Sequence, residues 1–232
     1  MSFYHIDLKN ASICVNFSLR AVIQSTMKKI CLSILFFLFV CAGCSTKFSL
    51  VPYLSENRYA VYLGEAHGVK VQANAVTREY PYLADGLIGE LSTVIEVSVT
   101  MDEKPDLPTI SFTVDEKTYG GELSYDTVSG KYSYSCTLSP TADAIDFTVA
   151  GKTVTAIKMN KTDNTELILS KVAESESEYL TPMRSGKYFL GEVYLRTIYD
   201  DGIYYYVGIV DQSGTIYSLL TDEDGNVLAR KK

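Results

Sequence analysis

Acid–base or nucleophilic chemistry in this chain would have to be assembled from very few residues. Histidine occurs twice, at His5 and His67, and only His67 lies in the strand-rich region beyond residue 44. Cys136, in YSYSCTL, alternates with Ser133 and Ser135, so its side chain leaves the opposite face of a strand from theirs. A reactive thiolate needs a neighbouring base or cation. No histidine stands near Cys136 in the chain, so it reads as a small buried hydrophobe. Ser-His-Asp catalysis, Cys-His catalysis and His-rich zinc sites lack their ingredients, and no Gly-rich phosphate loop precedes a helix. Carboxylates remain. Asp200-Asp201 and Asp222-Glu223-Asp224-Gly225-Asn226 offer oxygens of the kind calcium takes. The second run lacks the spacing and the distant Glu of an EF-hand loop, and both read as hairpin turns. A glycosidase carboxylate pair would sit in a sugar cleft, usually lined with Trp, and the chain has no Trp. No cofactor and no metal site is expected.

Tyrosine is the abundant side chain that recognises rather than reacts, with 17 after residue 44. Tyr204, Tyr205 and Tyr206 place phenols on both faces of one strand. Tyr80 and Tyr82 flank Pro81 in the loop-like REYPYLADG. Tyrosine gives large contact area at low entropy cost, which suits binding surfaces; inside a strand it is also simply a good strand former. These five residues form the candidate binding surface.

Residues 27–45, MKKICLSILFFLFVCAGCS, have the parts of a secretory signal. Lys28 and Lys29 supply the charge, Ile30–Val40 an apolar run interrupted by Ser33, and Ala42-Gly43 the small residues before cleavage. The run is shorter than the roughly 20 residues a spanning helix needs. Ala42-Gly43-Cys44 resembles the lipobox of bacterial lipoproteins, with Cys41 where that pattern prefers Leu. The resemblance implies cleavage before Cys44 and its lipidation, with palmitate among the acyl groups. The chain would then be exported and lipid-anchored on the extracytoplasmic side of the membrane. On this reading residues 1–26 are an over-extended start, disordered, 27–43 a signal peptide, and 44–57 a tether. Cys136 is then the one cysteine left for the folded part, which has no internal disulfide to form. After Cys44 the chain carries 17 basic and 27 acidic side chains, a net charge near −10. Such a balance opposes nucleic acid and a polybasic grip on anionic lipid, so the lipid on Cys44 is the membrane partner.

The elements that must position the tyrosines are strands. Val61 and Leu63, then Val69, Val71 and Ala73, alternate with polar neighbours across the turn-like His67-Gly68. LSTVIEVSVTM (91–101), TISFTV (109–114), GKYSYSCTL (130–138), AIDFTV (144–149) and TVTAIKM (153–159) continue the period of two. Breaks fall at Asp85-Gly86, Lys104-Pro105, Gly120-Gly121, Ser129-Gly130, Ser139-Pro140 and Gly151-Lys152. This spacing predicts an immunoglobulin-like β-sandwich over 58–171, in architecture only. Leu167-Ile168-Leu169 could close the sandwich as a strand or open a helix behind an Asp163…Glu166 capping box. A short helix is placed at 172–184. Strands at 187–199, 203–211, 214–221 and 226–230 follow, joined by Asp- and Gly-rich turns. A helix on this antiparallel meander makes 172–232 a small α+β domain.

Within it, Tyr204–Val207, Asp211, Gly214, Tyr217, Asp222, Gly225 and Val227 resemble the closing strands of PepSY-type domains. The likeness spans about 30 residues. It implies an exported protein with a role in peptidase inhibition or binding. The expectation is therefore a mostly-β cell-surface lipoprotein with a non-catalytic binding role toward an envelope protein or peptide. A carboxylate- or calcium-dependent envelope hydrolase and a structural spacer are the alternatives.

Overall fold

Alternation carries most of the chain into strands. The structure is a computed structural model and describes residues 48–81, 87–186 and 188–231. The expected start segment, signal peptide and Cys44 lie outside the described residues. Strands β1 (Leu54–Ala66), β2 (Val69–Glu79) and β3 (Leu91–Met101) form a meander. Its first turn is the expected His67-Gly68, with φ of 54° and 71°. Next come β4 (Thr109–Val114), β5 (Lys117–Glu122), β6 (Ser124–Asp126), β7 (Lys131–Thr137), β8 (Ala144–Val149) and β9 (Lys152–Lys158). The expected break at Gly120-Gly121 is instead the interior of β5. β5 pairs with β4 and β6 pairs with β7, so one run of chain bent at Leu123 bridges the two. With β9 pairing with both β1 and β8, the sheet becomes nearly barrel-like. Its interior holds Tyr62, Val71, Ile95, Val97, Phe147 and Val154, all buried. The Phe112 and Phe147 rings lie 4.9 Å apart there.

A second core lies on the continuation of the same sheet. Helices α1 (Thr165–Ser175) and α2 (Ser177–Leu180) precede the short pair β10 (Arg184–Ser185) and β11 (Tyr188–Phe189). The antiparallel strands β12 (Gly191–Tyr199), β13 (Ile203–Asp211), β14 (Ile216–Thr221) and β15 (Val227–Lys231) follow. Ile168, Leu169 and Val172 recur at helical spacing and pack on Val193, Leu195, Val207, Ile209 and Leu219. Leu167–Leu169 therefore open a helix, which begins at Thr165 rather than 172. The capping box does not form. Asn164 stands at the N-cap without a side-chain bond, while Asp163 Oδ1 accepts from the Thr165 N–H and hydroxyl.

Two expected boundaries move for the same reason. Residues 48–57 are not a tether: Leu50 is fully buried, and Phe48 and Tyr53 pack beside it against Phe189. The Tyr53 hydroxyl also accepts from the Phe189 N–H at 3.1 Å. These apolar side chains complete the second core, so burial wins over the polar look of the segment. The expected division at 171/172 falls inside α1, whose buried residues all belong to that core.

The join between the cores is β1. Its first half, Leu54–Arg58, pairs in parallel with β12, and Tyr62-Leu63 pair antiparallel with β9 on the same edge. Between them, Asn160 stands in for a strand. Its Nδ2 donates to the Tyr59 carbonyl at 2.7 Å, and its Oδ1 accepts from the Val61 N–H at 3.1 Å. The Met159 N–H completes the splice by donating to the Val61 carbonyl. Gly64 lets β9 come close: a Cβ there would lie 2.4 Å from the Thr155 carbonyl oxygen. The C-terminal strand is tied down separately. Arg230 donates from Nε and Nη2 to Glu176 Oε1, and the Tyr217 hydroxyl donates to Oε2 at 2.7 Å.

Asn160→Leu, which orphans Tyr59 O and Val61 N–H in a buried setting, is expected to destabilise the fold by about 2–4 kcal/mol. Chemical denaturation checks this; a loss under about 0.5 kcal/mol would show that the splice is dispensable. Burial pushes the Glu176 carboxyl up, but the bonds from Arg230, Tyr217 and Ser175 outweigh it and hold the carboxyl below its usual range. A depressed folded pKa stabilises above the unfolded value and is lost as pH falls through the folded one. The stability gap between the protein and Glu176→Gln is therefore expected to be full at neutral pH and to shrink below about pH 4. Melting curves across that range read it directly, and a gap unchanged down to pH 3 would refute the assignment.

Candidate functional site

Alternation along the strands sends a second set of residues to the face opposite the two cores. On β1 these are Glu56 and Arg58, aligned with Tyr194 and Arg196 of β12. β2 contributes Arg78, Val76 and Asn74, and β3 contributes Glu96 opposite Asn74. β13 brings Tyr206 opposite Arg196, and β14 brings Ser218. The result is a charged and aromatic face running across six strands.

Most of its charges are satisfied. Arg196 meets Glu56 in a bidentate pair with both contacts at 2.7 Å. Its guanidinium carbon lies 5.5 Å and 5.6 Å from the Tyr194 and Tyr206 ring centres, within cation–π range. Gly208 leaves room for those rings, since a Cβ would approach them to 3.1–3.2 Å. The Tyr206 hydroxyl shares a 3.0 Å bond with Ser218. Arg78 is ion-paired to Glu96.

Arg58 is different. Its Nε is buried and has no hydrogen-bond acceptor among the described residues, and the buried Asn74 Oδ1 has no donor. Burial pushes the Arg58 guanidinium down from its ordinary range; Glu56 and Glu96 counter this, and Arg196 and Arg78 add to it. One strand step beyond Asn74 and Glu96, the same face opens into a cavity of about 510 Å³. Leu63, Gln72, Ser98, Met159 and Tyr199 line it, with Glu65, Lys70 and Lys131 among its charged lining residues. Its volume falls in the range of small-ligand pockets. The face thus brings charged, aromatic and apolar side chains to one concave surface.

The expected site residues divide. Tyr80 is 77 % exposed just past β2, with its N–H on the Glu90 carbonyl. Tyr82 and Cys44 lie outside the described residues. Tyr204 and Tyr206 are half-buried on the charged face. Tyr205 is corrected: it is 3 % exposed and sits in the second core, because neighbours in a strand must face opposite ways. The triple tyrosine thus contributes two residues to the face and one to packing. Tyr80 lies two residues past Arg78, just beyond the end of β2.

Cys136 packs against the first core, and burial pushes its thiol up, away from reactivity. Two of the turn carboxylates, Asp222 and Asp211, are occupied by their own loops. Asp222 accepts from the N–H groups of Asp224 and Asn226 and from the Asn226 amide. Asp211 accepts from those of Ser213 and Thr215. Both are held below the usual carboxylate range by these bonds, led by the Asn226 and Ser213 side chains. Among the described residues, no three His, Cys, Asp or Glu side chains gather in a way that could hold a metal ion.

Sequence reading passed over Glu56, Arg58, Arg78, Glu96 and Arg196. The available signal was charge at alternate positions within strands, in ENR (56–58) and YLR (194–196), where a solvated strand face would be the bland reading. Comparison with protein-family models, with curated proteins and with solved structures finds no match to this chain.

Proposed function

We propose that this chain is a lipoprotein held by a lipid on Cys44 at the extracytoplasmic side of a membrane, and that its folded part is a non-catalytic module that binds peptide or protein. The observation that carries the binding role is the cavity on the charged face, beside tyrosines on two strands and a guanidinium whose Nε has no acceptor among the described residues. Aromatic and arginine side chains at a concave surface are the groups that dominate recognition energetics. The anchor rests on the charged, apolar and small-residue order of 27–44.

Finer readings of the fold go with this function. An immunoglobulin-like sandwich is supported by two sets of strands, β1-β2-β3-β7 and β9-β8-β4-β5, enclosing one core. A PepSY-like second part is supported by a helix laid on an antiparallel meander, with Asp211/Gly214 and Asp222/Gly225 closing its last turns. Peptide is accordingly the partner class we favour.

Cells expressing the full chain and fed labelled palmitate are expected to label the protein, and Cys44→Ala to abolish the label. Label retained by the variant would remove the anchor. The purified protein, immobilised and offered envelope extract and a peptide library, is expected to retain defined species above a bare-matrix control. Retention of nothing would remove the binding role.

A further inference from the structure

Arg58 poses a physical problem that Arg78 and Arg196 do not. Three arginines and two glutamates meet there, and the glutamates are taken by Arg196 and Arg78. The third guanidinium is half-buried, with its Nε out of solvent and no acceptor among the described residues. Burying a charge without an acceptor is costly; Nε itself is closed, so an anion arriving with a ligand would meet this half-buried side chain through its other guanidinium nitrogens. Glu56 and Glu96 soften the cost without making hydrogen bonds to Arg58.

The cavity supplies the second half of the argument. From Val76, which pairs with Arg58, to Gln72 at the cavity is four positions along β2, about 13 Å of strand. Asn74 lies between, with its buried Oδ1 lacking a donor. A chain laid along this face would therefore meet a cation and then, past the buried Asn74, an apolar hollow walled by Leu63, Met159 and Tyr199. Lys70 among the lining residues is paired with Glu65 at 3.2 Å, so it does not duplicate Arg58.

We propose that Arg58 receives a side-chain carboxylate of a bound, extended peptide and that the cavity beside Leu63, Met159 and Tyr199 receives an apolar side chain about four residues away on the same peptide. This rests on the peptide-binding reading and adds to it the class of peptide: acidic, with a nearby apolar anchor. A guanidinium binds carboxylate in a forked geometry that an amide cannot match.

The test uses the full chain and fluorescently labelled hexapeptides, blocked at both ends, with one aspartate and, four positions on, one leucine. Companions carry asparagine for aspartate, or serine for leucine. The aspartate peptide is expected to bind about tenfold or more tighter than its asparagine companion. Arg58→Met should erase that preference, so that the aspartate and asparagine peptides bind alike. Tyr199→Ser should weaken the leucine peptide more than the serine companion and so narrow the difference between them. A melting curve separates this from a structural role. An arginine without an acceptor loses no bond on becoming Met, so the midpoint should hold or rise. A midpoint lowered by several degrees would make Arg58 part of the fold's support and overturn the proposal. Peptides bound equally well with aspartate or asparagine would overturn it too, leaving the peptide-binding reading intact. Absence of binding by every peptide would remove both.

Discussion

The architecture depends on one strand edge that serves two partners. A strand has one row of donors and acceptors on each side, so β9 and β12 cannot both pair with the same residues of β1. They divide it, β12 taking Leu54–Arg58 and β9 taking Tyr62-Leu63. The interval would leave buried backbone groups unpaired, and Asn160 and Met159 occupy it. Asn is suited to the task because its amide offers donor and acceptor in the geometry of a peptide group. The two cores are thereby fixed to one backbone element. They have separate apolar contents but a common strand, and the chain from Phe48 onward forms one compact unit.

The fork also explains where the cavity is. β9 and β12 take different stretches of β1, and the C-terminal ends of both lie at the changeover. Met159, immediately after β9, and Tyr199, at the end of β12, both line the hollow, together with Leu63 and Gly64 of β1. The cavity is thus a consequence of topology rather than of a loop lying over the surface. Rigid, hydrogen-bonded strands hold its walls, which is the setting in which a binding constellation keeps its geometry. The charged row lies on the same strands, so the cation and the hollow are held at a fixed separation by the β2 backbone.

How much of this was legible in the sequence follows from the range of the interactions. Period-two alternation depends on neighbours in the chain, and it placed β1 to β4, β7 to β9 and the final meander within a few residues. The helix start failed because Leu167–Leu169 satisfy either a strand or a helix locally; packing against β12 to β14 decided it. β5 was hidden by Gly120-Gly121, which reads as a break until pairing with β4 is known. The tether reading failed because three apolar residues in a polar segment gain burial only from elements more than a hundred residues away, such as Phe189. The charged face was illegible for a different reason. Glu56 and Arg196 are 140 residues apart, and nothing local distinguishes a paired strand charge from a solvated one.

The same residue types occur in two buried settings in this molecule, and the contrast separates architecture from recognition. Glu176 is nearly enclosed, and Arg230 and Tyr217 each spend their polar atoms on it. The carboxylate's capacity is used within the protein, and its work is to bind the last strand to the helix. Arg196 is used in the same way by Glu56 and two tyrosine rings. Arg58 lies among these residues, shares their strands and feels their charges, yet has no bond to any of them. A guanidinium retained there only for stability would be improved upon by an apolar side chain of similar length, since desolvation is uncompensated. Its presence is explained physically when part of its bonding is completed from outside the chain. The tyrosines follow the same rule: Tyr205 is absorbed by the core, while Tyr206, bonded to Ser218, still turns its ring toward the face where a ligand would lie.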